Sequence, residues 1–390
     1  MLEGLTPEHE LACLLCRPAL SDDLGKRAAE RIAGGIDWVR FLKLVDRDGI
    51  LPLVGRHFEA PRLGHAPLEI RSWFRVGAAK HRAVLERLAV ELAGILSDLE
   101  AAGLTAVPFK GPVLGEQLWG DALRRPCDDL DFLVRPGDLP AVVATLGRRG
   151  YALHPDFRNV PAINERTQMA PLVREEGLPA PIHLEVQTSH RCHWLREGLP
   201  LEAIWAHLRR HEFRGTAVRV LPDDWNLALL ALHAYKHGFQ SLRWTAEVQA
   251  FGAQTGAWGE ALRCAETLGA GGEVRMAQRV CEAVCGEAWV APAALERSVR
   301  RLASCPFGPP LSIARQRWLQ LGAMSARGRI AALAAFVLRP NTADDVLTPL
   351  PATLRWLHFL IRPVRLTSRL LFSPLLRRIR DRIAAARTAK

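Results

Sequence analysis

Residues 124–138 read RRPCDDLDFLVRPGD, with Asp128, Asp129 and Asp131 at the head of an apolar run. Burying an unpaired carboxylate is costly, so these acids either sit in a solvated turn or meet a cation. In an extended strand side chains alternate between faces, which aims Asp129 and Asp131 together and sends Asp128 and Leu130 the other way. Two carboxylates on one face repel unless a cation lies between them. The pair therefore reads as a bracket for a divalent ion, and Mg²⁺ takes one or two carboxylates while water and substrate phosphate complete its shell. A third carboxylate from a neighbouring strand would admit a second ion, so that the pair activates an attacking oxygen and steadies a leaving one. Glu185 in IHLEVQTS is the candidate, with Leu184 and Val186 expected on the opposite, core-facing side.

Asp-x-Asp also occurs in many surface turns, so the surrounding elements carry the weight. Trp38, Phe41, Leu42 and Val45 follow helical spacing near the N-terminus. From about residue 68 to 102, Leu85, Leu88, Leu92, Ile95, Leu96 and Leu99 line one helical face, and Gly103 is placed to end it. The grammar then changes. LTAVPF (104–109) reads as a strand, Lys110-Gly111-Pro112 as a tight turn, 113–120 as a short helix and DLDFLV (129–134) as a second strand. PGDLPAVVATLGRRG supplies a helix with Asp138 near its start and Gly150 after its end. Residues 151–181 include a proline-rich polar loop, 182–189 form a third strand, and AVRVLP (217–222) offers a fourth. From Asp224 on, nearly everything reads as helix. The expected fold is α+β: a small mixed sheet between N- and C-terminal helical regions. The expected boundaries are 1–103 (helical), 104–222 (the α/β core), 223–305 (helical, completing a cleft) and 306–390 (helical, with a basic tail).

FKGPVLGEQLWGDALRRPCDDLDFLV resembles the signature of the uncharacterised nucleotidyltransferase-like family of bacterial proteins, within the DNA polymerase β-type superfamily. IDWVRFLKLVDRDGILPLVGRHF is similar to that family's N-terminal helices, and LLALHAYKHGFQSLRWTAEVQAF to its His-x-x-Lys-His helix, so that residues 9–255 share the likeness. The resemblance implies a polymerase β-like fold and a nucleotidyltransferase that binds ATP or another nucleoside triphosphate. It implies that Asp129 and Asp131 hold Mg²⁺, two ions in all, with Glu185 as general base or second-ion ligand. Gly111 would form the turn before the nucleotide-side helix, while Lys110 and Arg124 or Arg125 would offset triphosphate charge. Two departures stand out. The wider superfamily prefers Gly-Ser after the first strand where this chain has Gly111-Pro112, and Glu185 stands where aspartate is expected.

His233 and His237 are four apart on a helix, with Lys236 beside them, but lack the acidic partner of a zinc-protease motif. Two readings stay open: the helix points His237 or Lys236 at nucleotide or acceptor, or the histidines are structural. Trp194, Trp225 and Trp244 read as core or hinge residues. His190, Cys192 and His193 lie at loop spacing without an assembled set. The eight cysteines are scattered, which argues for reduced thiols, and Cys13-Leu-Leu-Cys16 has no second pair at finger spacing.

The net charge of +11 is concentrated: residues 351–390 hold ten Lys/Arg and one acid, leaving +2 for residues 1–350. A near-neutral body argues against a long nucleic acid and for a small-molecule, sugar or peptide acceptor. In the tail, Leu370, Leu371, Leu375, Leu376, Ile379 and Ile383 recur at helical spacing among arginines. That pattern suits an anionic membrane surface or an acidic partner, or else a docked helix with its arginines in water. The start, MLEGLTPEHELACLL, carries acids where a secretory signal needs a basic segment, and no 18-residue apolar run occurs. The expected location is cytoplasmic, with peripheral attachment at the inner membrane face as an extension. A second class stays open: an inactive protein of the same fold, serving a biosynthetic pathway as a binding or accessory component tethered by its tail.

Overall fold

The computed structural model describes residues 2–59, 63, 65–155, 169–175, 177, 180–190, 199–288, 290–324, 326–338, 340, 344 and 347–368. Cys192, His193, Trp194 and the tail leucines and isoleucines from Leu370 onward lie outside the described residues. Two compact units are present: the described residues up to Met324, Pro155 excepted, and those from Ala326 on.

In the first unit, four helices precede the sheet: α1 (Pro7–Leu15), α2 (Asp22–Ala33), α3 (Trp38–Arg47) and α4 (Leu51–Gly55). The side chains of Thr6, Ser21 and Asp37 accept backbone N–H bonds at the starts of the first three. Next comes α5 (Leu68–Ala101), which buries the six leucine and isoleucine positions expected of it and is followed by Gly103 at φ +72°. The chain then runs β1 (Ala106–Pro108), α6 (Gly111–Trp119), β2 (Asp129–Val134), α7 (Leu139–Arg148), β3 (Ala152–Leu153), β4 (Met169–Arg174) and β5 (Ile182–Gln187).

These five strands make one mixed sheet in the order β1-β2-β5-β4-β3. Only the β2–β5 pairing is parallel. The fold is therefore α+β, with a small mixed sheet and helical flanks, as the alternating grammar implies. Strand β4 falls inside the segment read as loop. Its Pro171 lacks a ladder donor, and the Pro171 carbonyl accepts from His154 N–H at 3.0 Å. The AVRVLP segment does form a strand, β9 (Thr216–Val220), but it pairs with β8 (Arg209–Phe213) in a separate hairpin and not with the main sheet. Short β6 (Ser189–His190) and β7 (Leu199–Pro200) pair with each other.

One face of the sheet carries Leu130, Phe132, Val134, Ile182, Leu184 and Val186 into a core with α5 and α7. Glu91 of α5 fastens that layer. It accepts from Arg149 (3.2 Å), Arg174 (3.0 Å) and the Tyr151 hydroxyl (3.0 Å), so three cationic or polar groups share one buried carboxylate. On the other face, Val107, Phe109 and Leu133 join a second core built with α8 (Asp223–Lys236), α9 (Leu242–Thr255), α10 (Trp258–Thr267) and α11 (Gly271–Cys285). Helices α12 (Arg297–Ala303) and α13 (Ile313–Ala323) follow. None of the described cysteines forms a disulfide, and Cys13 and Cys16 are fully buried core residues.

Candidate functional site

The parallel pairing sets Asp131 directly beside Glu185 and Asp129 beside His183. Because β5 alternates, Ile182, Leu184 and Val186 are at most 1% exposed, while His183, Glu185 and Gln187 face the opposite side with Asp129 and Asp131. Oxygens of Asp129, Asp131 and Glu185 lie within 4.8 Å of one another. No other trio of His, Cys, Asp or Glu side chains converges in this way among the described residues. Asp128, the remaining acid of the run, is exposed to water. Both halves of the dilemma posed by the sequence are thus realised: Asp128 is solvated and Asp131 meets a cation.

That cation is Lys110, whose Nζ lies 2.6 Å from Asp131 Oδ2. It reaches the carboxylates because the chain leaves β1 through Phe109, whose N–H donates to the Asp131 carbonyl at 2.9 Å. Lys110 and Gly111 both adopt positive φ, +67° and +56°. A non-glycine residue held there costs on the order of 1–3 kcal/mol, a strain that the surrounding structure sustains at the mouth of α6. Around Gly111 the space a Cβ would enter is open.

Gln187 completes the cluster. Its Nε2 donates to Asp131 Oδ1 at 2.9 Å and to Glu185 Oε2 at 3.1 Å, bridging two like charges with one amide. The alternation of IHLEVQ already assigned Gln187 to the face of Glu185, and that parity is the signal that could have identified it.

Three carboxylates against one ammonium leave the cluster with excess negative charge. Burial, with the Asp131 charge behind it, pushes the Glu185 carboxyl up to about 7, against the opposing pull of Lys110. Asp129 is also raised, by burial and then by Asp131, while Lys110 and Arg125 pull it down. An all-oxygen set of this kind fits a hard divalent cation such as Mg²⁺ and lacks the sulfur and nitrogen ligands that zinc favours.

Lys236 ends α8 and His237 caps it. The His233 and His237 rings are 4.6 Å apart, and His237 lies 4.7 Å from the Trp244 ring. Burial holds His237 down to about 3, aided by the charges of Lys236 and Lys110 and opposed by Asp131, so this end of α8 lies within electrostatic reach of the cluster. The ring of His190, fully buried and also depressed, packs 5.3 Å from Phe109. Both arginines have acidic partners of their own. Arg125 is buried and pairs with Glu247 of α9 at 3.0 Å. Arg124 is half-exposed beside Asp121 at 3.5 Å, an acid that also receives Arg82. Sequence spacing offered no means of seeing the Glu247 partner, 122 residues further along.

A family model described as uncharacterised nucleotidyltransferase matches residues 34–286, more than half of the chain. No curated protein matches it.

Proposed function

We propose that this chain, which belongs to the uncharacterised nucleotidyltransferase family, transfers a nucleoside monophosphate from a nucleoside triphosphate to a small-molecule, sugar or peptide acceptor, the acceptor oxygen bonding to the α-phosphorus as pyrophosphate leaves. The observation that carries this is the convergence of Asp129, Asp131 and Glu185 within 4.8 Å. These three would hold Mg²⁺, in one or two ions. When bound, Mg²⁺ neutralises phosphate charge and makes an acceptor hydroxyl easier to deprotonate.

The chain's own residues supply the rest. Lys110 brings a point charge on a flexible stem, suited to a phosphate oxygen. At the start of α6, the Gly111 and Val113 N–H groups belong to the first turn, whose amides lack intrahelical acceptors, whereas Pro112 has no N–H to give. The open space at Gly111 leaves room for a phosphate to approach the backbone. Glu185 would serve either as the third ligand or, with an Oε atom left off the metal, as the base that takes the proton of the acceptor hydroxyl. The His237 ring, packed 4.7 Å from Trp244 and inclined 33° to it, would contact a base or acceptor ring, and Lys236 would add a second cation. Arg125 acts from behind, through its field on Asp129. Residues 1–350 carry only +2, so no basic groove for a long nucleic acid is expected.

A second reading is favoured by one feature, the Gly111-Pro112 turn, which provides neither the hydroxyl nor the extra amide of a Gly-Ser phosphate loop. There the fold would bind a ligand without transferring anything, with Lys110 as a permanent counter-ion. Titration calorimetry with Mg²⁺ and each nucleoside triphosphate, ATP first, separates the two. Metal-dependent nucleotide binding that disappears in Asp129→Asn/Asp131→Asn supports the transferase, and a wild type that binds no triphosphate overturns it in favour of the accessory role.

A further inference from the structure

The second unit is built inside out. Residues 352–357 form a 3-10 turn and 358–368 a helix. Along them Trp356, Phe359, Leu360 and Val364 fall at spacings of three, one and four, which is a single helical stripe. That stripe points to water: the four are 58%, 52%, 61% and 70% exposed. The opposite side carries His358 and Arg362, which are 0% and 3% exposed. Arg362 Nη1 donates to the buried Asp344 at 2.5 Å, its Nε donates to the Phe336 carbonyl at 2.9 Å, and Arg365 also pairs with Asp344. An ordinary surface helix does the reverse, with arginines outside and aromatics within. Helix α14 (Ala326–Leu338) likewise exposes apolar residues, Ile330, Leu333 and Val337, at helical spacing.

We infer that this unit docks on an anionic lipid surface, with the Trp356–Val364 stripe entering the headgroup layer. Charge decides the occupant. From residue 325 to 390 the sequence holds thirteen Lys/Arg and three acids, a net +10 of the chain's +11. A second copy would set this charge against itself, whereas an anionic bilayer complements it and accepts Trp and Phe at its interface. No helix among the described residues is long and apolar enough to cross a membrane, so the fit is to a surface. The inference is independent of the transferase proposal, since none of these residues belongs to the carboxylate site.

The test uses the full chain with sedimenting vesicles of phosphatidylcholine, with and without phosphatidylglycerol. Wild type is expected to sediment with the anionic vesicles alone, and less so as salt is added. Trp356→Ser/Phe359→Ser/Leu360→Ser alters only exposed side chains, so it should keep the wild-type circular dichroism and melting temperature while binding at least about tenfold more weakly. Phe359→Trp keeps an aromatic at the interface and should bind like wild type. Failure to sediment with anionic vesicles overturns the inference, as does equal binding by the triple variant. So does a wild-type dimer in sedimentation velocity that the triple variant converts to monomer, since that would make a second copy the occupant.

Discussion

Loading a cation into the carboxylate cluster should expel a proton, and Glu185 should be its source. Its carboxyl is pushed up to about 7 by burial and by Asp131. In the metal-free protein it is therefore ionised in about a tenth of molecules at pH 6 and about nine-tenths at pH 8. Only the ionised form ligates, so apparent Mg²⁺ affinity should fall about tenfold from pH 8 to pH 6, or about 1.4 kcal/mol. Calorimetry in two buffers of different ionisation enthalpy should count about 0.9 protons released per cation bound at pH 6 and about half a proton at pH 7. In Glu185→Gln the affinity should be weaker but nearly flat over this range, with little proton release. The same shift has a stability consequence. A raised folded value means that the contribution of Glu185 is fully present below its ordinary 4.5 and is lost as pH rises through about 7. The ionised form then carries roughly 3 kcal/mol of penalty as an upper figure. In chelator at pH 8, Glu185→Gln should accordingly melt above wild type, and at pH 4 the two should nearly coincide. Binding that is flat with pH in the wild type, with no proton released at pH 6, would refute the coupling of Glu185 to the cation. A proton still released by Glu185→Gln would move the assignment to Asp129.

Gln187→Leu removes the amide that bridges Asp131 and Glu185, and should destabilise the metal-free protein by about 1–3 kcal/mol in urea denaturation, with most of the loss recovered in saturating Mg²⁺. Gly111→Val places a β-branched residue at φ +56° and should cost about 1–2 kcal/mol by the same measurement, while reducing nucleotide affinity by more than the small change in melting temperature would suggest. Arg125→Ala strands the buried Glu247 and should cost about 3–5 kcal/mol, whereas Arg125→Met/Glu247→Leu should recover most of it. If the double variant is no better than the single one, the pair is not the reason Arg125 is buried.

The acid-bearing strands were legible because their two faces differ so sharply. DLDFLV matches β2 at both ends, and the alternation of IHLEVQ fixed which side of β5 Glu185 would take. The long α5 likewise follows from apolar spacing and its glycine stop, and so does the end of the short helix at Gly120, although that helix begins at Gly111, within the segment read as a turn. Pro171 hid β4, since a local signal against strand was overruled by pairing with β5 on one side and β3 on the other. Partners distant in sequence were invisible for a different reason. Arg125 looked like a phosphate ligand by its nearness to the aspartates, and only the packing of α9 reveals Glu247 against it. In the basic C-terminal segment, Arg362 looked like any solvated arginine, yet it is an interior residue paired with Asp344.

Like charges at the β2–β5 seam raise the question of why the strands do not slide to separate them. A shift of one residue would part Asp131 from Glu185, but side chains alternate strictly, so the same shift would turn the other face inside out. That face commits Leu130, Phe132, Val134, Ile182, Leu184 and Val186 to the core, none more than 1% exposed. At about 1.5–3 kcal/mol for each fully buried side chain, their burial is worth roughly 10 kcal/mol or more, an upper estimate against a compact unfolded chain. The penalty on the acid face, burial first and like charge second, is smaller, roughly 3 kcal/mol at Glu185. Hydrophobic burial on one side of the sheet therefore holds the carboxylates together on the other, and the cluster can relax only by keeping a proton, by leaning on Lys110 and Gln187, or by taking up a cation. The structure shows the second, the raised Glu185 carboxyl favours the first, and both make the site receptive to the third.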